Sequence, residues 1–188
     1  VIEFGSGRVK VNGTAVTVNP AGYIITQKDS GAAPITNKNI LVTGGTQNIT
    51  LVNVNIDGSG SDGVFAFLIS EGAAVNLTLE GENTLKSGAI CAGFEVPHGA
   101  ALTVTAESTG SLNVYGGKNS AGIGGGSGGA GGNITISGGT VTATGGYDGA
   151  GIGGGRGGAG GTISISGGTV MAYGGKSSAG IGGGSVGA

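Results

Sequence analysis

The sequence predicts an all-β fold, a right-handed single-stranded parallel β-helix with three short strands per coil of about 29 residues. Three observations predict it. Ala121-Gly-Ile-Gly-Gly-Gly returns at Ala150 and again at Ala179, two steps of 29. Between the copies, Asn133-Ile-Thr-Ile-Ser-Gly-Gly-Thr-Val-Thr-Ala-Thr matches Thr162-Ile-Ser-Ile-Ser-Gly-Gly-Thr-Val-Met-Ala-Tyr. Within each copy apolar and polar residues alternate, and no 3.6-residue period or capping signal occurs.

Each repeat holds three segments. Residues 133–137 turn Ile134 and Ile136 to one side and Asn133, Thr135 and Ser137 to the other. Residues 140–144 put Val141 and Ala143 inward and three threonines outward. The third segment, Ala121 to Gly126, offers Ile123 as its one large apolar group. Gly-Gly pairs at 138–139 and 145–146 supply corners. Stacked coils place Ile134 on Ile163, Ile136 on Ile165, Val141 between Leu112 and Val170, and Ile123, Ile152 and Ile181 in a third column. A left-handed hexapeptide coil would be shorter, about 18 residues, so the longer coil points to the right-handed kind.

Upstream the same grammar is looser. Asn48-Ile-Thr-Leu, Asn76-Leu-Thr-Leu and Ala101-Leu-Thr-Val precede Asn133-Ile-Thr-Ile at spacings of 28, 25 and 32. Phe65, Phe67, Leu68, Ile69, Ile90 and Phe94 are the expected larger core residues there. Residues 1–47 fit the period poorly, and a hairpin across Val9–Val18, turning at Asn12-Gly13, is expected as an N-terminal cap. The organisation expected is one β-helix domain over 1–188: an irregular coil or cap at 1–47, irregular coils at 48–110 and regular glycine-rich coils at 111–188. The chain starts at Val1 with no signal peptide and stops in mid-coil, so the natural protein is expected to continue.

Composition excludes several classes. There are 48 glycines in 188 residues, against a usual share of about 7%. Collagen needs glycine at every third position with abundant proline, and only 3 prolines occur. Charged residues make up 10% and the net charge is −2, with no basic stripe, so no nucleic acid is expected as a partner. No apolar run of about 18 residues could span a membrane. Cys91 stands alone, so no intrachain disulfide can form.

The run Leu77-Thr-Leu-Glu-Gly-Glu-Asn-Thr-Leu-Lys-Ser-Gly, then Ala92-Gly-Phe-Glu-Val-Pro-His-Gly-Ala-Ala-Leu-Thr-Val, then Gly110-Ser-Leu-Asn-Val-Tyr-Gly-Gly and the Ala-Gly-Ile-Gly-Gly-Gly coils resemble repeats of large secreted or wall-anchored proteins of Gram-positive, often gut-associated, bacteria. Over roughly residues 40–188 the coils also resemble the pectate-lyase-like right-handed β-helix. The resemblance implies an adhesin-like, carbohydrate-binding protein that is secreted or anchored to the cell wall. Its implied partner is a polysaccharide or host glycan.

Candidate sites lie on the outward columns. Tyr115, Thr144 and Tyr173 occupy equivalent positions, as do Lys118, Tyr147 and Lys176, with Asn119, Asp148 and Ser177 beside them. Sugar rings pack their C–H faces on aromatics while polar neighbours orient the hydroxyls. A ligand edge of Tyr115, Lys118, Tyr147, Asp148, Tyr173 and Lys176 is therefore expected; the plainer reading is that tyrosine suits an outward strand position. Asp57-Gly-Ser-Gly-Ser-Asp-Gly gives Asp57 and Asp62 as a calcium candidate without the usual further acids, so a solvated corner is the plainer reading. Otherwise no cofactor is expected.

The remaining motifs favour their bland readings. Gly124-Gly-Gly-Ser-Gly-Gly fits a phosphate-loop pattern, but no helix follows. Glu80 and Glu82 could pair as acid and base, yet ordinary surface charge explains them. Cys91 sits in the apolar stretch Ala89 to Phe94, where a buried inert thiol is usual, and His98 reads as a turn. Asn48, Asn76 and Asn133 fit a glycosylation motif only because the repeat recurs. A non-catalytic surface module is expected, with a polysaccharide lyase or hydrolase fragment and a structural spacer as alternatives. Thr135, Thr140 and Thr142 raise ice binding, but Asn113 and Met171 interrupt that row. An open last coil is expected to allow end-to-end self-association.

Overall fold

The computed structural model describes residues 2–5, 8–11, 14–16, 22–27, 33–36 and 38–187, the first three stretches by backbone alone. Among the described residues every element is a strand. The N-terminal part has β1 (Ile2–Gly5), β2 (Arg8–Val11), β3 (Thr14–Val16) and β4 (Tyr23–Thr26). Then come coils of three strands. The first has β5 (Ile40–Val42), β6 (Thr46–Val52) and β7 (Asn55–Asp57). The second has β8 (Phe67–Ile69), β9 (Ala74–Glu80) and β10 (Glu82–Lys86). The third has β11 (Phe94–Glu95), β12 (Ala101–Val104) and β13 (Ser111–Tyr115). The fourth has β14 (Ile123–Gly124), β15 (Asn133–Ile136) and β16 (Thr140–Thr144). The fifth has β17 (Ile152–Gly153), β18 (Thr162–Ile165) and β19 (Thr169–Tyr173), followed by β20 (Ile181–Gly182).

Successive coils pair in parallel, which builds three sheets. Sheet A runs β20-β17-β14-β11-β8-β5-β1-β2-β3, sheet B runs β18-β15-β12-β9-β6-β4, and sheet C runs β19-β16-β13-β10-β7. The chain is a parallel β-helix. Among the described residues no helix is long and apolar enough to cross a membrane.

The expected stacking is observed residue for residue. Ile134 pairs with Ile163, Ile136 with Ile165, and Val141 with both Leu112 and Val170. Ile123, Ile152 and Ile181 form one column, which continues upstream through Phe94, Phe67 and Ile40. The rings of Phe67 and Phe94 stack at 4.2 Å between centroids, 24° apart. Fully burying such a side chain is worth roughly 1.5–3 kcal/mol, so the stacked core offsets the entropy of ordering the glycine corners. Stacking also explains the glycines on sheet A. Gly124 has φ +132, and a Cβ there would strike the carbonyl oxygen of Gly153 one coil on.

Three expectations need correction. The step from β9 to β12 is 27, not 25, because Ala101 pairs with Ala74 and Thr103 with Asn76. A shift of two keeps every side chain on its face, so alternation alone cannot choose between the two registers. Second, the irregularity expected upstream of residue 111 lies in sheets A and B, where Ile40, Phe67 and Phe94 step by 27 and Thr46, Ala74, Ala101 and Asn133 by 28, 27 and 32, and not in sheet C. In sheet C, Asn55, Thr84, Asn113, Thr142 and Met171 stack at steps of 29. Corner lengths compensate: from Phe94 to Ala101 is 7 residues and from Ala101 to Ser111 is 10, whereas the next coil takes 10 from Ile123 to Asn133 and 7 from Asn133 to Thr140. The longer corner is tied down by buried Ser108, whose hydroxyl accepts from the Leu79 N–H at 3.1 Å.

Third, Ile90 is not a core residue. It is 54% exposed in a corner at φ +71, a strained place for a β-branched side chain. A step of 29 carries it to Asn119, Asp148 and Ser177, which hold the same corner in later coils. Phe65 and Leu68 are half-buried, while Phe67, Ile69 and Phe94 are fully buried as expected.

The hairpin expected at the N-terminus is present as β2 paired antiparallel with β3, Val9 opposite Val16 and Val11 opposite Thr14. Asn12 and Gly13 lie outside the described residues. The hairpin extends sheet A beyond β1, which itself pairs in parallel with β5. At the other end, Ile165 and Ile181 of the last coil are exposed.

Candidate functional site

The outer edge of sheet C carries the expected tyrosines. Lys86 lies opposite Tyr115 on the neighbouring strand, Tyr115 opposite Thr144, and Thr144 opposite Tyr173. Strand alternation turns all four outward, because their neighbours Leu85, Val114, Ala143 and Ala172 point into the core. Tyr115, Tyr147 and Tyr173 are 40%, 55% and 54% exposed, and a lysine ammonium lies over the ring of each of the first two. Asp57 starts the column, paired with Lys86. Asp57 and Lys86 extend the column upstream by the same step of 29.

The second column sits in the corner after sheet C. The Lys176 ammonium lies 5.8 Å from the Tyr147 ring centroid. Lys118 is exposed one coil before Tyr147. Asp148 faces a residue that sequence spacing did not bring to the edge: Arg156, whose Nε lies 3.9 Å from its carboxylate. The corner after sheet A folds back onto the corner after sheet C. Arg156 N–H donates to the Asn119 carbonyl at 2.8 Å, and Ser127 and Ser185 N–H groups donate to Ile90 and Asp148 in the same way. The edge thus carries Tyr with Lys on one coil, Thr with Tyr on the next, then Tyr with Lys again.

The Asp57 corner is closed by its own groups. Asp57 Oδ1 accepts from the Ser59 hydroxyl and from the Ser59 N–H at 3.0 Å, and Oδ2 lies 3.4 Å from Lys86 Nζ. The Ser59 hydroxyl is the main cause that holds the Asp57 carboxyl below its ordinary value, with the Ser59 amide and Lys86 adding to it against some desolvation. Asp62 is exposed in the following turn. Among the described residues no three His, Cys, Asp or Glu side chains gather.

Cys91 is buried, and burial first, then the charge of Glu95, pushes its thiol up to about 11, so it stays protonated at neutral pH. Glu95 is itself raised by burial, opposed by a hydrogen bond from the Ala92 N–H. His98 is exposed in a turn. Glu80 ends β9 on sheet B and Glu82 opens β10 on sheet C, with Gly81 at φ +62 between them. Within Gly124–Gly129 the N–H groups of Gly125, Ser127, Gly128 and Gly129 are all given to backbone carbonyls. They are not free to cradle a phosphate.

Sheet B presents a different outer face. Its central row is Asn48, Asn76, Thr103, Thr135 and Ser164. Asn76 Nδ2 donates to Asn48 Oδ1 at 2.9 Å. In the row beside it, Thr78 and Thr105 hydroxyls are 3.1 Å apart and Ser137 and Ser166 hydroxyls 3.0 Å apart.

A family model described as beta helix repeat matches residues 134–156 and 163–185. These two stretches are similar to that repeat. They are themselves one coil apart and span sheets B, C and A in turn, which agrees with the register. No curated protein and no solved structure matches the chain.

Proposed function

We propose that the chain is a non-catalytic module of a secreted or wall-anchored protein and binds an extended polysaccharide along the outer edge of sheet C. The observation that carries the reading is the register of Tyr115, Thr144 and Tyr173. It sets two exposed rings two coils apart, about 9.6 Å, with a hydroxyl between them. That spacing is close to a disaccharide of an extended β-linked glycan, so alternate sugars would stack on the two rings. Lys118, Tyr147, Asp148 and Lys176 flank them and supply donors, an acceptor and a third ring. Stacking on tyrosine combines apolar contact with a hydroxyl that binds a neighbour.

Glycan arrays and polysaccharide pull-downs with the wild type and Tyr115→Ala/Tyr173→Ala test this reading. At least a tenfold loss of binding in the double variant is expected. Binding to no glycan, or binding unchanged by the double variant, would sink it.

A further inference from the structure

We infer that the outer face of sheet B binds the ordered surface of an uncharged, insoluble polysaccharide, independently of the tyrosine edge. Three rows of side chains cross β6, β9, β12, β15 and β18, and every one is Thr, Ser, Asn or Ala. Charge borders the face at Glu80, one outward position beyond Thr78, and at Glu107, whose carboxylate accepts from the Thr105 hydroxyl. The array covers about 13 Å along the strands and about 19 Å across them, from the rise per residue and the strand spacing. Such a face complements a partner that is itself neutral and hydroxyl-rich, because an ionic partner would lose water without gaining an opposite charge.

The rows are held in line. Stacked Asn48 and Asn76, Thr78 and Thr105, and Ser137 and Ser166 bond to one another, and such ladders resist the usual sheet twist. Each hydroxyl or amide still has unused donors or acceptors for a ligand. At one end the face deepens into a hollow of about 550 Å³ lined by Tyr23, Ile24, Asn48, Thr50 and Thr78. Ile24 is 74% exposed there and gives the hollow an apolar wall. A wall for C–H groups beside hydroxyls and an amide matches a sugar ring, which presents both. A water lattice offers no C–H face to such a wall. The footprint is far below the roughly 800 Å² per partner of a standard interface, so attachment is weak per molecule and relies on the dense repeat of a solid.

The test is depletion of the whole chain from solution by microcrystalline cellulose and by crystalline chitin. The wild type is expected to be depleted by at least one of them. Thr103→Lys/Thr135→Lys, and separately the exposed Ile24→Lys and Ser164→Lys, are expected to lower the bound fraction at least fivefold. The same lysine substitutions are compared again in the Tyr115→Ala/Tyr173→Ala background, where they are expected to lower the remaining bound fraction at least fivefold, so failure of the tyrosine edge and failure of this face are read separately. Equal depletion of the lysine variants overturns the inference, as does no depletion by either solid. Thermal hysteresis of the wild type without depletion would also overturn it, since the face would then order water instead.

Discussion

Lys86 holds its ammonium 5.5 Å from the centroid of the Tyr115 ring, its partner on the next strand, while the same group lies 3.4 Å from Asp57 on the strand before. A cation thus joins an acid and an aromatic ring along three coils. An exposed cation–π contact is worth about 0.5–1 kcal/mol and an exposed ion pair 0.2–1 kcal/mol. Lys86→Met is therefore expected to cost about 1 kcal/mol in urea unfolding. The same geometry predicts that calcium leaves the melting temperature unchanged, because Lys86 already occupies Asp57. A rise of several degrees with millimolar calcium would contradict this.

Asp57 gives a pH dependence with a definite sign. Its folded carboxyl titrates below the ordinary 3.8, so its contribution is full above that value and is lost as pH falls through the lower folded value. Asp57→Asn is expected to melt below the wild type at pH 6, and the gap is expected to close as the solution is acidified past pH 3.8. A gap that persists in strong acid would show that the residue acts by shape alone.

The glycines divide by what lies over them. Gly153 has φ +135 and a carbonyl of the next coil where a Cβ would stand, whereas at Gly60 nothing lies within 4 Å. Gly153→Ala combines backbone strain with overpacking and is expected to cost about 3 kcal/mol or more. Gly60→Ala is expected to be neutral or to stabilise by up to about 1 kcal/mol. Chemical denaturation of the two variants checks both, and equal effects would refute the stacking argument.

Phe94 is the centre of the sheet A column, with Phe67 on one side and Ile123 on the other. Phe94→Ala is expected to lose about 3–5 kcal/mol, and Phe94→Leu markedly less. The urea midpoint of each reads the difference.

Cys91 is expected to react slowly with thiol reagents at pH 8 in the native protein and quickly once the protein is unfolded. Its raised folded value means that its stabilising effect is full below the unfolded value of 9.0 and is lost as pH rises through about 11. Cys91→Ala is expected to flatten the melting curve over that alkaline range. Native labelling at the rate of a free thiol would overturn the burial argument.

The alternation at 133–137 and 140–144 and the step of 29 determined the coil, the inward columns and the outward tyrosines. These are local properties: parity along a strand and recurrence along the chain survive any choice of register. The same step of 29 also leads from Ile90 to the corner residue Asn119, and from Tyr115 back to Lys86 and Asp57. What only the tertiary structure decided depends on hydrogen bonds between coils. Those bonds pair Ala101 with Ala74 rather than with Asn76, a two-residue choice that leaves every side chain on its face. They let a long corner in one sheet junction be cancelled by a short one in another. They fold the corner of Arg156 back to Asp148, and they assemble rows of Thr, Ser and Asn from unequally spaced segments into one uncharged face on sheet B. The physical reason is that a strand's sequence states which side of it is apolar, while the neighbour above and below is chosen by backbone pairing and corner closure across the whole stack.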